Sequence, residues 1–482
     1  MTSFHTRRTP SPRLRPASRL FAALTATAVL SGCASFSADG GFGRVEQTAG
    51  QRLGKQLAWP KTAAEQDLVA QRVAELLARP LSADDAVQIA LLNNQGLQAS
   101  FHELGISEAE LVQAGRLANP GFSFSRLKRG SEVELERSFS FDLLGLLTMP
   151  LASRIARQQF ELTQASVAME VLSLAARTRT AYLQALAAEQ SLRYKQQVQD
   201  TAEASAELAR RMAQVGNFNK LQQMREQGFY ADAALNLARA SQARVAGREK
   251  LVRLLGLWGA QTQFALPDRL PDLPKEAQDQ PDIERLAMAQ RLDVQAAKRS
   301  AEQTAAQLGL TRATRFVNVL ELGVARNSSN EAPTQRGVEI SVELPLFDGG
   351  GARSARAEAV YRQALNRAAE TAIDARSEVR EAYAAYRAAY DIARHQRDEV
   401  VPLRQRIAEE NVLRYNGMLI GVFELLADAR SQIASVDGYI ESLRDFWLAQ
   451  ADLDAAMLGR PATATALSST ASSAAEPAGE GH

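Results

Sequence analysis

Few side chains in this sequence are suited to nucleophilic, acid–base or metal chemistry, and those few are scattered. The 482 residues include four histidines and one cysteine. The histidines are His5, His102, His395 and His482, and neither their spacing nor their distance from Cys33 matches a His/Cys metal site. The methionines are equally dispersed. We therefore predict no catalytic residue, no metal site and no cofactor, and we do not expect an enzyme.

A run of three glycines, Gly349, Gly350 and Gly351, follows a predicted strand and opens a predicted helix. It lacks the lysine of a Gly-x-x-x-x-Gly-Lys phosphate loop. Although an anion could in principle lie at such a helix N-terminus, we favour a structural role. Glycine permits positive φ and close backbone approach, so the run predicts a sharp bend between strand and helix.

The surroundings of the cysteine predict lipidation. Five arginines between residues 7 and 19 precede the apolar stretch Leu20–Leu30, which is the layout of a secretory signal. The stretch ends in Leu30-Ser31-Gly32-Cys33, which matches the bacterial lipobox, where cleavage leaves the cysteine as the lipid-bearing N-terminus. Ala34, in place of aspartate, favours the outer membrane. We predict a signal peptide over 1–32 and a lipidated lead-in over 33–80.

The remaining sequence predicts two similar halves. Arg179-Thr180-Ala181-Tyr182 returns as Arg380-Glu381-Ala382-Tyr383, and Gly216 returns as Gly417, both 201 positions later (417 − 216). Such ordered matches indicate an internal repeat. We predict a first repeat over 81–266, a proline-rich linker over 267–281, a second repeat over 282–460 and a disordered tail over 461–482.

Each half begins with a helix and a β-hairpin. Ser82-Ala83-Asp84-Asp85 predicts the start of a helix that runs to about Leu117. Alternating apolar residues from Phe122 to Phe141 then predict two strands joined by Lys128-Arg129-Gly130-Ser131. In the second half, the predicted strands are Arg315 to Ala325 and Val338 to Leu346, with a polar loop from Arg326 to Arg336.

Long helical hairpins follow the strands. The pattern from Ala152 to Val215 stays helical and predicts a rod of roughly 100 Å at about 1.5 Å per residue, and a second rod is predicted from Ala352 to Asn416. Gly216 and Gly417 are the predicted turns at the tips, and Pro402 is expected to bend or break the second rod. Val379, Tyr383, Tyr386 and Tyr390 share one helix face, which favours close helix packing.

Composition limits how the chain meets a membrane. The net charge of +1 gives no reason to expect nucleic acid, and no apolar run after residue 33 reaches the roughly 20 residues of a spanning helix. Four amphipathic strands cannot close a barrel alone, because such barrels begin at about eight strands. Two copies would fill the lumen with side chains, whereas three would leave a passage. The sequence leaves both open, and the rods favour the open tube.

Several of these segments together resemble a known family. Pro345-Leu346-Phe347-Asp348-Gly349-Gly350-Gly351, the Arg414-Tyr415-Asn416-Gly417 turn with Phe423-Glu424-Leu425-Leu426 beyond it, and the duplicated layout look like the TolC-type outer-membrane efflux proteins, in their lipoprotein branch. The resemblance covers about Leu81 to Gly459. It implies a mainly α fold with a small β part, in which a homotrimer forms a shared β-barrel over a periplasmic helical tunnel, with the glycine run at the bend between them.

The resemblance also implies partners and a location. Such a protein lies in the outer membrane, is lipid-anchored, extends into the periplasm and is a passive conduit. A periplasmic adaptor protein and an inner-membrane pump, of the RND type, deliver its substrates. The cargo is left open among drugs, metal ions and proteins, although segment 413–430 resembles members associated with metal export. The alternative is a periplasmic adaptor or a structural coiled-coil lipoprotein.

The second tip carries the residues expected to gate such a tunnel. Glu424 matches an acidic position that rings the aperture, and Asp428 lies one turn further along, while Arg414 and Tyr415 are expected to link neighbouring helices. Three carboxylates around a narrow pore would favour cations. A solvated helix face and ordinary tip packing are the alternatives. The family commonly has glycine at the position of Met418, so the shape of this turn is expected to differ.

Overall fold

The computed structural model describes residues 35–317, 319–343, 347 and 349–459. The predicted signal peptide, Cys33 and the tail over 461–482 therefore lie outside the described residues, as do Pro345 and Leu346. The described chain divides into two compact units, one containing residues up to 40, 105–160 and 305–359, and the other containing 41–104, 161–304 and 360 onwards.

The first unit contains one antiparallel sheet with strand order β1-β2-β3-β4. The strands are β1 Gly121–Arg129, β2 Glu132–Asp142, β3 Leu320–Ser329 and β4 Gln335–Val342. Gly130, with φ of 63°, occupies the short turn between β1 and β2, as the hairpin pattern predicts. The second hairpin lies beside the first because β2 pairs with β3, with Arg137 opposite Arg326.

The predicted limits of β3 are wrong. The strand begins at Leu320 instead of Arg315, and it continues through the polar residues to Ser329, which leaves a loop of residues 330–334. Its polar end is held by side chains of β2, since Asn327 Nδ2 donates to Glu134 Oε1 at 2.7 Å and Ser329 Oγ donates to Glu132 Oε1 at 3.2 Å. Such cross-strand polar pairs stabilise a sheet where no apolar pattern marks it.

The second unit is helical, and some of its helices extend into the residues of the first unit. In chain order, the longer helices are α1 Ala63–Leu77, α2 Ala83–Asn93, α3 Gln95–Ala114, α4 Leu143–Gln214, α5 Lys220–Leu255, α6 Ile283–Gln290, α7 Leu292–Ala313, α8 Gly351–His395, α9 Val401–Asn416 and α10 Val422–Leu458. Every helix in the described residues is too short or too polar to serve as a membrane-spanning segment.

The single helix predicted from Ser82 to Leu117 is broken at Asn94. Ser82 caps the start as expected, because its Oγ accepts the Asp85 N–H at 3.1 Å. Asn94 then leaves the helix with ψ of 117°, and its Oδ1 accepts the Leu97 N–H at 3.0 Å, which starts α3. Asn93 and Asn94 also donate to carbonyls at the end of α5, so the break satisfies groups that a helix terminus leaves unpaired.

Helix α4 begins nine residues before the predicted start at Ala152, with Pro150 inside it. The Asp142 carboxylate accepts the Gly145 N–H at 2.7 Å and so acts as a cap directly after β2. The second rod is interrupted as Pro402 predicts, because a π turn over Gln396–Val400 separates α8 from α9. Proline removes a helical hydrogen bond, and π turns accommodate such defects.

The tyrosine face of α8 packs on a helix and also holds the linker. The rings of Tyr386 and Tyr390 lie 5.6 and 5.8 Å from that of Phe446 on α10, in agreement with the predicted helix packing. Their hydroxyl groups bind linker backbone, since Tyr386 Oη accepts the Gln278 N–H at 2.9 Å and Tyr390 Oη donates to the Lys275 carbonyl at 2.6 Å.

Candidate functional site: the sheet faces and the helical tips

One face of the sheet is apolar near the helical ends of its strands. Phe122, Phe139, Val324 and Val338 are successive neighbours across β1 to β4, and the rings of Phe122 and Phe139 lie 4.9 Å apart. Side chains of this face at that end are exposed in one chain; they are Phe122, Phe124, Phe139, Phe141, Val324, Val338, Ile340 and Val342. A contiguous apolar surface of this kind marks contact with lipid or protein.

The opposite face is polar and acidic. Ser123 and Ser138 are bonded through their hydroxyl groups at 2.7 Å, which fixes them on this face. The register then places five glutamates on it; they are Glu132, Glu134, Glu136, Glu321 and Glu339. This carboxylate cluster was not predicted from the sequence, although the alternation of glutamate with apolar residues in β2 and β4 was the available signal.

The glycine run lies between β4 and α8. Gly349 and Gly350 have φ values of 54° and 65°, and a side chain at Gly350 would approach the Arg315 carbonyl oxygen to 2.5 Å. The Gly349 carbonyl accepts the Arg315 Nε–H at 2.8 Å. Both the backbone conformation and the close approach therefore require glycine at position 350.

Both helical hairpins turn through the same arrangement of backbone hydrogen bonds. At the first tip, Gly216 has φ of 85° and the Asn217 N–H donates to the Met212 carbonyl at 2.9 Å. At the second tip, the Leu419 N–H donates to the Arg414 carbonyl at 2.8 Å, and the left-handed residue between them is Met418, with φ of 59°. Gly417 itself has φ of −78°. Met418 thus occupies the position where this type of helix end favours glycine.

The four predicted gate residues lie on α9 and α10 beside this turn. Arg414 Nε donates to Glu410 Oε1 at 3.1 Å within its own helix, and Tyr415 is exposed. Glu424 is exposed in the first turn of α10, where a carboxylate is also favoured by the helix dipole. The half-buried Asp428 accepts a hydrogen bond from Asn411, so α9 and α10 hold its carboxylate between them.

A buried ion pair near this tip was missed by the sequence analysis. Glu226 of α5 has no exposed surface, and its Oε1 lies 2.7 Å from a guanidinium nitrogen of Arg430 on α10. Its Oε2 accepts the Ser205 hydroxyl of α4 at 2.7 Å. The Arg430 guanidinium also lies 5.5 Å from the Phe229 ring centre and 5.9 Å from that of Phe423. No sequence signal relates residues this far apart.

Two further contacts join α4 to α10. Lys195 Nζ lies 2.6 Å from Asp437 Oδ2, and both side chains are largely buried. Tyr194 Oη donates to the Ile433 carbonyl at 2.9 Å. Burial, with a smaller contribution from the Asp437 charge, raises the pKa of Tyr194 to about 12, so its hydroxyl remains a donor at neutral pH. The two hairpins are therefore held together by polar contacts along this stretch.

Among the described residues, no group of three or more His, Cys, Asp or Glu side chains is arranged to hold a metal ion. The glutamates of the sheet and the carboxylates of the second tip are spread along their faces. Within one chain, then, these carboxylates set a local charge and do not form a ligand cage.

Comparison with known proteins gives one related sequence and several related structures. No protein-family model matches the chain. The cobalt-zinc-cadmium resistance protein CzcC of Cupriavidus metallidurans is 26% identical over 286 residues, which are 56% of this chain and 64% of that protein. The match thus spans less than two thirds of the length of that relative.

Two of the solved structures are outer-membrane channels. The Campylobacter jejuni CmeC outer membrane channel is 16% identical, with a TM-score of 0.67 over 84% of this chain and 91% of that one. The open state of the Neisseria gonorrhoeae MtrE outer membrane channel is 19% identical, with a TM-score of 0.65 over 78% and 88%. The chain has the fold of these channels, and the predicted resemblance to the TolC-type proteins is confirmed at that level.

Proposed function

We propose that this protein is the outer-membrane channel of a tripartite efflux system. Three copies, each lipid-anchored through Cys33, form a passive conduit that receives its substrates from a periplasmic adaptor protein and an RND-type inner-membrane pump. The observation that carries the proposal is the open four-stranded sheet, which has one apolar and one acidic face and whose hairpins are followed along the chain by long helices.

The open sheet requires partners in a membrane. In the described chain, β1 pairs only with β2 and β4 pairs only with β3, so each has an edge without a strand neighbour. Unpaired backbone groups are costly in lipid, and only closed barrels remove them. β1 and β4 run in opposite directions, so β4 of one copy suits antiparallel pairing with β1 of the next. Three copies of four strands give a twelve-stranded barrel, wide enough for a passage.

The two faces determine which side of the sheet contacts lipid and which ions the barrel favours. The apolar face turns outward to lipid, and the five glutamates of the polar face line the lumen. A lumen lined by carboxylates raises the local concentration of cations and repels anions. Together with the relative named for cobalt, zinc and cadmium resistance, this charge supports divalent metal cations as the cargo class.

The second tip closes the tunnel in this proposal. Three copies of the exposed Glu424 ring the aperture. Asp428 has a different local role, because Asn411 binds it, and it adds its charge one turn behind the ring. Arg414 and Tyr415 remain exposed for contacts with a neighbouring copy. A periplasmic adaptor or structural lipoprotein is not favoured, since the solved structures with this fold are outer-membrane channels.

Paired cysteines at the sheet edges test the proposal. Ser125→Cys in β1 and Ser341→Cys in β4 lie near the outer edges, so a flexible bis-maleimide should link separate chains into dimers and trimers in the membrane. The control pair is Ser138→Cys with Ala325→Cys, which are direct neighbours within one sheet and should give monomers alone. If the edge pair also yields monomers alone while the control pair reacts, the shared barrel is wrong.

A further inference from the structure

Three arginines lie side by side on the apolar face of the sheet. Arg137 of β2 is opposite Arg326 of β3, and Arg326 is opposite Arg336 of β4. We call these three residues the arginine row. They lie two residues nearer the hairpin turns than Phe139, Val324 and Val338, and alternation along a strand keeps them on the same face as these apolar side chains.

The arginine row is a costly arrangement for a sheet by itself. Directly opposed side chains of neighbouring strands have Cβ atoms about 5 Å apart, and like charges at that separation destabilise the pairing. All three side chains are exposed. Within the part of the chain that the structure describes, none of them has a carboxylate partner, since the glutamates of the same strands project from the other face.

More positive charge lies further toward the turns. Arg126 and Lys128 alternate with Ser125 and Leu127 in β1, which places them on the face of Phe122 and Phe124. The face is therefore apolar at the helical ends of the strands, whereas toward the turns basic and apolar side chains share it, since Arg126 lies opposite Leu135 and Lys128 opposite Val133. A lipid bilayer likewise passes from hydrocarbon in the middle to charged headgroups at the boundary.

We propose that the arginine row binds the phosphate groups of anionic lipid headgroups in the leaflet nearest the hairpin turns. This inference rests on the proposed function, because it needs the apolar face to contact lipid. In that orientation the helices are periplasmic and the turns lie at the cell exterior. Guanidinium groups suit this ligand, since their forked N–H donors bind two phosphate oxygens at once. Phosphate binding also removes the repulsion between neighbouring arginines.

The test measures which lipids the purified trimer retains. The wild type is reconstituted in phosphatidylcholine vesicles with and without phosphatidic acid, whose headgroup is a phosphate monoester, and the retained lipid is counted by native mass spectrometry. The variant carries Arg137→Gln, Arg326→Gln and Arg336→Gln. The control is Arg129→Gln, which removes a charge from the opposite face near the same turn.

The wild type and the Arg129→Gln control should retain phosphatidic acid over phosphatidylcholine. The triple variant should lose this preference by about fivefold for each charge removed, at low salt. Arginine-to-lysine replacements at the three positions should recover part of it, because they restore charge without the fork. Equal retention by wild type and triple variant would overturn the proposal. So would full displacement of the lipid by millimolar inorganic phosphate, which would assign the row to a soluble anion.

Trimer formation and conductance are recorded on the same samples. A triple variant that forms conducting trimers without lipid preference shows that only lipid binding has been removed, as expected. Wild-type protein that conducts but has no lipid preference contradicts the arginine-row proposal alone. Wild-type protein that neither assembles nor conducts contradicts the channel itself.

Discussion

Arg430 on α10 forms an ion pair at 2.7 Å with Glu226, a fully buried residue of α5. Because the carboxylate has no exposed surface, loss of the guanidinium would leave an uncompensated charge away from water. The pair joins the two helical hairpins near their tips, where Ser205 of α4 provides a third contact. Its strength therefore bears on how stably the two hairpins pack together.

Replacement of Arg430 by methionine should lower the free energy of unfolding by about 3 kcal/mol, the lower part of the range for a broken buried pair, since Arg430 is partly exposed. Adding Glu226→Gln should restore much of this loss. Chemical denaturation of the single and double variants measures both effects, and Arg404→Met provides an exposed control. An additive double variant would show that the two residues are not coupled.

Replacement of Glu424 by glutamine should reduce the cation preference of single channels in planar bilayers. A unit charge about 4 Å from a passing ion contributes about 1 kcal/mol even in water, so the permeability ratio should fall about fivefold. Glu381→Gln, on an exposed position of α8 away from the tip, is the matched control. An unchanged ratio for Glu424→Gln would exclude its role at the aperture.

Neutralisation of the acidic sheet face should change cation conduction through the barrel lumen, and it leaves the charges of the tip unchanged. Glu134→Gln with Glu136→Gln should lower cation conductance severalfold at low salt, and the difference should nearly disappear at about 1 M salt, where charges are screened within roughly 3 Å. Ser125→Ala changes the same face without changing its charge. A salt-independent effect would indicate altered barrel packing, against a lumen role.

Replacement of Met418 by glycine should stabilise the second tip. A residue with a side chain costs about 1–2 kcal/mol in the left-handed conformation, and glycine avoids this cost. The greater freedom of glycine in the unfolded chain offsets about 0.5–1 kcal/mol of this stabilisation. The exposed Met418 side chain has few contacts to lose, so a net gain of roughly 0.5–1 kcal/mol is expected. Leu419→Gly, next in the chain, should destabilise. Equal losses from both variants would contradict a strained turn at Met418.

The sequence predicts the parts of this fold that have local signals. The alternation from Phe122 to Phe141 marks the first hairpin, and the long stretch without proline marks α4. Where polar side chains replace the local pattern, prediction fails. Asn94 breaks a helix because its side chain donates a hydrogen bond to a carbonyl at the distant end of α5. Asn327 extends β3 because its side chain donates a hydrogen bond to Glu134 of β2.

The candidate site divides in the same way. The positions of Glu424 and Gly216 near the hairpin tips can be predicted from the sequence, because short motifs mark the tips. The Arg430–Glu226 pair is not, since it joins residues 204 positions apart. The acidic face and the arginine row also depend on the register between strands, which brings β2 beside β3 only in the folded sheet.

The number of chains in the membrane-embedded particle tests the central claim most directly. Native mass spectrometry of the protein released from lipid nanodiscs, with conductance recorded on the same preparation, should give three chains per conducting particle. A conducting monomer would contradict the account, because four strands alone cannot enclose a pore.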